Sequence, residues 1–326
     1  MADREHTRPR HLVVAAVLGL GLVAAPAIFQ MFSRAPSGGQ MIDEFEPYMT
    51  QQVIGGFADD LALIDRAVND IAPAAAELPD SVRTTYFDQL ATQWPGVYDD
   101  MGGMLATMDG NIDNFGAVRS LPPFPLFPWF FVIPGVLVAG FAVFGWRSRR
   151  GRVAGIGLLA LGIGLVAAPA VFQMFTRAPK GADMIDDFRT LMTKDRVQTM
   201  QGYFLVIGAG EGNLRNDIVP ALSGSDSISS DVATFSSEWP RISNDMAPMI
   251  GAMSDNLDNF GDVDALPPFG LFPWFFVIPG LGLAALGIIE LRRVARTATR
   301  SDATTTHTPT LEPTLTTTLT TNQGES

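Results

Sequence analysis

The sequence predicts an all-α membrane protein built by tandem duplication of one unit. In that unit a transmembrane helix, an extracytoplasmic helical domain and a second transmembrane helix follow in order, giving four spans in total. Three observations carry the prediction. Residues 18–50 return as 161–193 with 23 of 33 positions identical, and residues 111–135 return as 256–280 with 20 of 25 identical. The offset is 143 for the first block and 145 for the second, so the divergent stretch between them gained two residues in the second repeat. Four runs, at 12–33, about 121–146, 153–176 and 265–289, hold no charged side chain, and each meets the roughly 20 residues needed to cross hydrocarbon. Self-similarity on this scale settles architecture before single residues do.

The amino-terminal segment 1–11 carries Arg4, Arg8 and Arg10 ahead of the first expected span, 12–33. Ala25-Pro26-Ala27 has the form of a signal-peptidase site, but the same AAPA recurs at 167–170, deep in the chain, so both runs are read as retained spans. The second, third and fourth spans are expected at 125–146, 153–176 and 271–290. Arg147, Arg149, Arg150 and Arg152 fill the link at 147–152, and Arg292, Arg293, Arg296 and Arg300 follow the last span. Arginine in short flanking loops stays cytoplasmic during insertion. Residues 34–124 hold 14 acidic against 4 basic side chains, and 177–270 hold 14 against 7. These two lobes are therefore expected outside a plasma membrane, with both termini inside. Repeats of the same orientation imply a pseudo-twofold along the membrane normal.

Within the spans no Asp, Glu, Lys, Arg or His is expected, only the amides of Gln30 and its counterpart Gln173 near the outer ends. Ion and proton pathways need buried ionisable groups, which argues against a pump. Small residues recur at helix-packing spacing in Ala15/Gly19, Gly21/Ala25, Gly164/Ala168, Gly135/Ala139 and Gly280/Ala284, and close backbone approach is how helices associate in lipid. Trp129 and Trp274, each after a proline, are the expected interfacial anchors. Pro134 and Pro279 should kink the return spans.

In the first lobe Phe57, Leu61, Ile64, Val68 and Ile71 form a helical stripe, matched by Met200, Phe204, Ile207, Leu214 and Ile218 in the second. A better-preserved stripe runs from Val97 through Met101, Met104, Leu105, Met108 and Ile112 to Phe115, matched by Ile242, Met246, Met249, Ile250, Met253, Leu257 and Phe260. Helix breaks are expected at Gly55-Gly56, Pro79-Asp80 and Trp94-Pro95, and a helix stop at Asn114-Phe115-Gly116 and Asn259-Phe260-Gly261. The chain has no cysteine, so each lobe must fold by helix packing alone, and the two are expected to pack as one acidic ectodomain.

The residues that bear on chemistry are few. Met101, Met104, Met108, Met246, Met249 and Met253 form a candidate face for an apolar ligand or for packing. Thioethers also select Cu(I), yet methionine fills core gaps and no cysteine or histidine accompanies these faces, so no metal and no cofactor is expected. Asp109-x-Asn111-x-Asp113 matches half of a calcium loop, but Asn114 stands where glycine belongs and Ser120 where a bidentate glutamate belongs. The pairs Asp43-Glu44 and Asp186-Asp187 are read as first-turn helix acids. His6, His11 and His307 fall in the cytoplasmic tails, and no catalytic triad, phosphate loop or zinc spacing occurs. From Ala303 a threonine-rich tract reads as disordered, with Thr308 and Thr314 as phosphorylation candidates; the whole tail is taken as 291–326.

The expected function is therefore that of a non-enzymatic, multi-pass cell-envelope protein, a scaffold or partner-binding protein. Its partners are membrane lipids and a protein at the cell surface, with no role for nucleic acid. The alternative is a receptor or carrier for an apolar, lipid-like ligand held between the methionine-rich helices.

Overall fold

A computed structural model describes residues 10–148, 151–223 and 228–305. Arg4, Arg8, His6, Arg149, Arg150, His307, Thr308 and Thr314 lie outside the described residues, as does the side chain of Arg300. The first repeat supplies α1 (Arg10–Ile28), α2 (Met31–Phe45), α3 (Gln51–Ala76), α4 (Thr85–Gly110), α5 (Ile112–Arg119) and α6 (Trp129–Ser148). The second supplies α7 (Gly151–Val171), α8 (Met174–Phe188), α9 (Lys194–Asn213), α10 (Val219–Ala221), α11 (Ser230–Asp255), α12 (Leu257–Asp264) and α13 (Phe272–Thr305). A π-helical stretch, Leu214–Ile218, joins α9 to α10, and no strand occurs among the described residues. Four segments are long and apolar enough to cross a membrane, Arg10–Ile28, Phe124–Arg147, Gly151–Val171 and Phe269–Thr297. The chain thus has the helices of a multi-pass membrane protein.

The span boundaries differ from those expected. α1 and α7 end at 28 and 171 because Gln30 and Gln173 adopt the left-handed conformation, at φ 53° and 54°. A residue in that conformation ends a helix, and bonds from Ser33 N to Gln30 O and from Thr176 N to Gln173 O begin the next one. The two glutamines mark the breaks between α1 and α2 and between α7 and α8. At the other end of the chain, α13 runs on to Thr305, so 291–305 extends the fourth span's helix. No glycine or proline interrupts Leu291 to Thr305, and alanine, leucine and arginine there favour helix.

Two expected breaks are absent. α3 passes through Gly55-Gly56 because Ile54 and Phe57 on either side are buried, and tertiary packing outweighs the glycine penalty. α4 passes through Trp94-Pro95 with Pro95 on the exposed face, where its ring meets no neighbouring helix and the cost is confined to the one lost backbone bond. Trp94 beneath it is 1% exposed and donates its indole N–H to Asp65 at 2.8 Å. The expected stop at Asn114-Phe115-Gly116 is also absent, since α5 continues to Arg119; the chain bends earlier, at Asn111, and likewise at Asn256. Asp43-Glu44 and Asp186-Asp187 occupy the last turns of α2 and α8, not first turns. Threonine caps do open α3 and α9, with Thr50 and Thr193 hydroxyls accepting from Val53 N and Arg196 N at 3.3 Å.

The helices stack in three tiers. Farthest from the spans, α3, α4, α9 and α11 form a ring in which each helix packs on helices of both repeats. Below them α2 packs on α12 and α8 on α5, so each short pair crosses between repeats. In the spans α1 pairs with α6 and α7 with α13, while α6 meets α7 and α1 meets α13 more loosely. The tight pairs form through glycine. A Cβ at Gly19 would lie 2.7 Å from Gly135 O and 2.8 Å from Ala139 N, and one at Gly162 2.5 Å from Ala284 N. Of the small-residue pairs noted in the sequence, Gly21/Ala25 and Gly164/Ala168 are not at these contacts, for Gly21 and Gly164 face open space.

Candidate functional site

The six methionines of the candidate face lie in the core of the upper tier. Met101, Met104 and Met108 on α4 and Met246, Met249 and Met253 on α11 are each between 0 and 3% exposed. α3 and α9 cover both faces, and the stripe from Phe57 to Ile71 is buried against them. An apolar ligand at these thioethers would displace core side chains.

Nearer the spans, matched residues of the two repeats meet pairwise. Met41, Ile42, Phe45, Met49 and Phe115 face Met184, Ile185, Phe188, Met192 and Phe260 around an apolar cavity of about 30 Å³, which offers none of the polar partners a water needs. An apolar void of that size stays dry. Beneath it Phe124 and Phe269 meet at 6.1 Å between ring centroids, Phe127 and Phe272 at 5.1 Å, and Phe131 and Phe276 at 4.6 Å. These rings pack across the seam between the repeats. Trp129 and Trp274 open the return spans, half exposed, each edge-on to Phe32 or Phe175 at 5.7 and 5.8 Å.

Polar residues clasp the repeats together. Asn111 donates to Asp187 at 2.9 Å, and its counterpart Asn256 donates to Glu44 at 2.5 Å. Both asparagines are at most 2% exposed. The half calcium loop is therefore a helix junction whose central Asn111 is committed to a carboxylate. Arg34 donates to Ala265 O and, at the matching position, Arg177 donates to Ser120 O. An ion pair persists with its polarity reversed: Glu46 with Arg119 in one repeat, Arg189 with Asp264 in the other. Higher up, the Arg196 guanidinium and the Tyr203 hydroxyl both donate to Asp100, at 2.7 and 2.5 Å. Those bonds hold the Asp100 carboxyl below its ordinary value and push the Tyr203 hydroxyl above its own. Arg241 grips the buried Asp60 with two bonds, at 2.6 and 3.2 Å, and also pairs with Glu238 and Asp245.

One buried carboxylate in the lobes is poorly satisfied. Glu211 occupies the position of Val68 in the first repeat, is 1% exposed, and its Oε1 lies 3.6 Å from Arg215 Nε without a hydrogen-bond partner. Burial pushes its carboxyl above the usual range, against the opposing pull of Arg215 and Ser236. The π-helical stretch, a feature that often accompanies function or strain, begins three residues on. A folded-state pKa above the unfolded one means that ionisation disfavours the fold. Glu211→Gln is expected to stabilise the lobes above the raised pKa. The gain should shrink as pH falls through the raised pKa and vanish only below the ordinary carboxyl value of 4.5, where both states carry the proton. Urea unfolding followed at pH 7.5 and pH 4.5 checks this, and an equal gain at both would contradict it.

The expectation that the spans hold no ionisable group fails at the end remote from the lobes. Glu290 on α13 is 0% exposed and accepts from His11 Nε2 on α1 at 2.5 Å, with Arg293 Nε at 3.3 Å. The matching positions of the other repeat are Gly145 and Ala154, which also abut. The sequence held a signal for Glu211 and Glu290 alike, namely positions where one repeat is charged and the other apolar.

No protein-family model matches the chain, and no curated protein matches it. Among the described residues no cluster of three or more histidine or acidic side chains is arranged to hold a metal ion.

Proposed function

We propose that this is a plasma-membrane protein in which a tandemly duplicated two-span unit carries one acidic helical ectodomain outside the cell, both termini being inside. It works without catalysis, as a cell-envelope scaffold that engages a protein partner through the ectodomain surface. The observation that carries this reading is the shared core. Both methionine faces and the aromatic column are packed with side chains from both repeats, so the chemistry that remains accessible is the surface. That surface is anionic, with Asp59, Asp70, Asp88, Asp99, Asp109 and Asp113 exposed on the first repeat. The partner it suits presents a basic face, since charge complementarity sets association rate and specificity. The arginines flanking the spans support the orientation.

Because the chain has no cysteine, single engineered thiols report position without background. In intact cells a membrane-impermeant maleimide is expected to label Asn69→Cys and Ser237→Cys, and to label Ser148→Cys only after permeabilisation; the reverse pattern would overturn the orientation. For the partner, a crosslinker placed at Asn69→Cys should give one adduct in intact cells. The combined Asp88→Asn, Asp99→Asn and Asp109→Asn variant should lose it, and retention of that adduct would overturn the acidic surface as the docking face.

A further inference from the structure

The two sides of the span ring differ. Where α6 meets α7, Phe141 lies against Gly157, within 2.8 Å of a Cβ placed there, and Phe130 sits on Phe172 at 5.8 Å between centroids. At the matching place between α13 and α1, Leu286 and Val14 replace Phe141 and Gly157, while Phe275 and Phe29, the counterparts of Phe130 and Phe172, stand as walls of an open groove. The helices there leave a groove of about 450 Å³, lined by Leu18, Gly21, Ala25, Phe29, Phe275 and Ile278 among others. This volume is within the range of about 300–1,000 Å³ found for small-molecule sites.

The groove matches one leaflet in length. Its lining on α1 runs from Val17 to Phe29, about 18 Å along a helix, against roughly 15 Å for half of the hydrocarbon layer. It lies in the half of the spans nearest the lobes and reaches Pro267 and Trp274 at the interface. Val17 and Ile278 on its rim are 62% and 67% exposed, so it opens sideways to lipid. Just above its end at Met31 stands Arg34, whose guanidinium donates to Ala265 O at 3.2 Å and lies 4.0 Å from Asp262, with a quarter of the side chain exposed. A guanidinium so placed has donors left for a phosphate.

We propose that the groove between α1 and α13 is a binding site for one membrane phospholipid, with an acyl chain in the groove and the phosphate on the Arg34 guanidinium. The site needs only the four spans to lie in a bilayer, and stands whether or not the ectodomain binds a partner. The seat is particular to the α1–α13 side in the half of the spans nearest the lobes, because in the matching crevice Phe130 packs on Phe172; the hollow between α6 and α7 at Phe141, Phe144 and Val153 lies toward the other end of the spans.

The test uses delipidated full-length protein with added phosphatidylglycerol, phosphatidylcholine or diacylglycerol, read by native-state mass spectrometry. One phosphatidylglycerol or phosphatidylcholine is expected per chain, at least about tenfold tighter than diacylglycerol, as a charge-assisted contact to phosphate gives. A Cβ at Gly21 meets nothing within 4 Å, and neither does one at Gly164. Gly21→Trp should therefore fill the groove and abolish binding, while Gly164→Trp, at the matching position of the other repeat, leaves it intact. Arg34→Gln should bring the phospholipids down to the level of diacylglycerol. Binding that survives Gly21→Trp, or diacylglycerol bound as well as phosphatidylglycerol by the wild type, would overturn the proposal. Should Gly21→Trp fail to fold, Val17→Trp on the exposed rim serves the same purpose.

Discussion

Gly162→Leu is expected to drive α7 and α13 apart and to abolish a folded, monodisperse protein. A Cβ at this position would lie 2.5 Å from Ala284 N, 2.6 Å from Gly280 O and 2.9 Å from Ala284 Cα. All three are backbone atoms, so no side-chain rotation relieves the collision. Overpacking a core costs about 1–3 kcal/mol where neighbours can shift; here a whole helix must move, and the upper figure is the minimum. In hydrocarbon the loss is not recovered elsewhere, because close packing itself holds such helices together. Gly164→Leu, two residues along the same helix, faces open space and should melt like the wild type. The measurement is the midpoint of thermal unfolding in detergent with size-exclusion retention as a second readout. If Gly162→Leu and Gly164→Leu proved equally stable, α7 and α13 would not meet through this face.

That contrast shows how far the sequence could be read. The spacing of small residues announced that glycine faces would join the spans, yet Gly19, Gly21 and Gly164 satisfy the spacing while Gly162, which meets Ala284, has Leu158 and Val166 four residues away and does not. Which pair meets a partner depends on how the helix is rotated about its axis, and an all-apolar helix carries no polar face to fix that rotation. In the lobes the amphipathic stripes do fix it. Phe57, Leu61, Ile64, Val68 and Ile71 are all at most 4% exposed, as their spacing required. What local reading missed was continuity: Gly55-Gly56 and Pro95 look like punctuation, but buried neighbours carry the helix through them. The left-handed Gln30 and Gln173 were invisible for the converse reason, since glutamine has no preference for that conformation and only tertiary packing imposes it.

The candidate polar residues were legible only in comparison between the repeats. Asn111 and Asn256 are identical in kind, and a conserved junction draws no attention by itself; their partners, Asp187 and Glu44, lie in the opposite repeat, 76 and 212 residues away. The reversal of Glu46 and Arg119 into Arg189 and Asp264 leaves each lobe's charge pattern unremarkable while preserving an ion pair. Where the repeats differ without compensation, as at Val68 and Glu211, one member carries a burial cost the other lacks. Such places are where a symmetric scaffold becomes a specific one.

The pair His11 and Glu290 is the sharpest case, and its disruption gives the second large effect. His11→Ala is expected to destabilise the spans by about 2 kcal/mol, within the range for leaving a buried acceptor without its hydrogen-bond partner, and not more because Arg293 remains beside the carboxylate at 3.3 Å. Glu290 is completely buried, and a Cβ on Gly151 would overlap its carboxylate, so the carboxylate is closely packed on that side and depends on His11 and Arg293 for its partners. Glu290→Ala should cost less, since it removes the charge and leaves a histidine that can turn toward solvent at 15% exposure. The double variant, His11→Ala with Glu290→Ala, approaches the apolar contact that Gly145 and Ala154 already make. It should therefore be more stable than His11→Ala alone, despite carrying one more substitution. Thermal unfolding of the four proteins gives the coupling directly. Additive losses would show that imidazole and carboxylate act independently, and that the first and last spans are held together by packing alone.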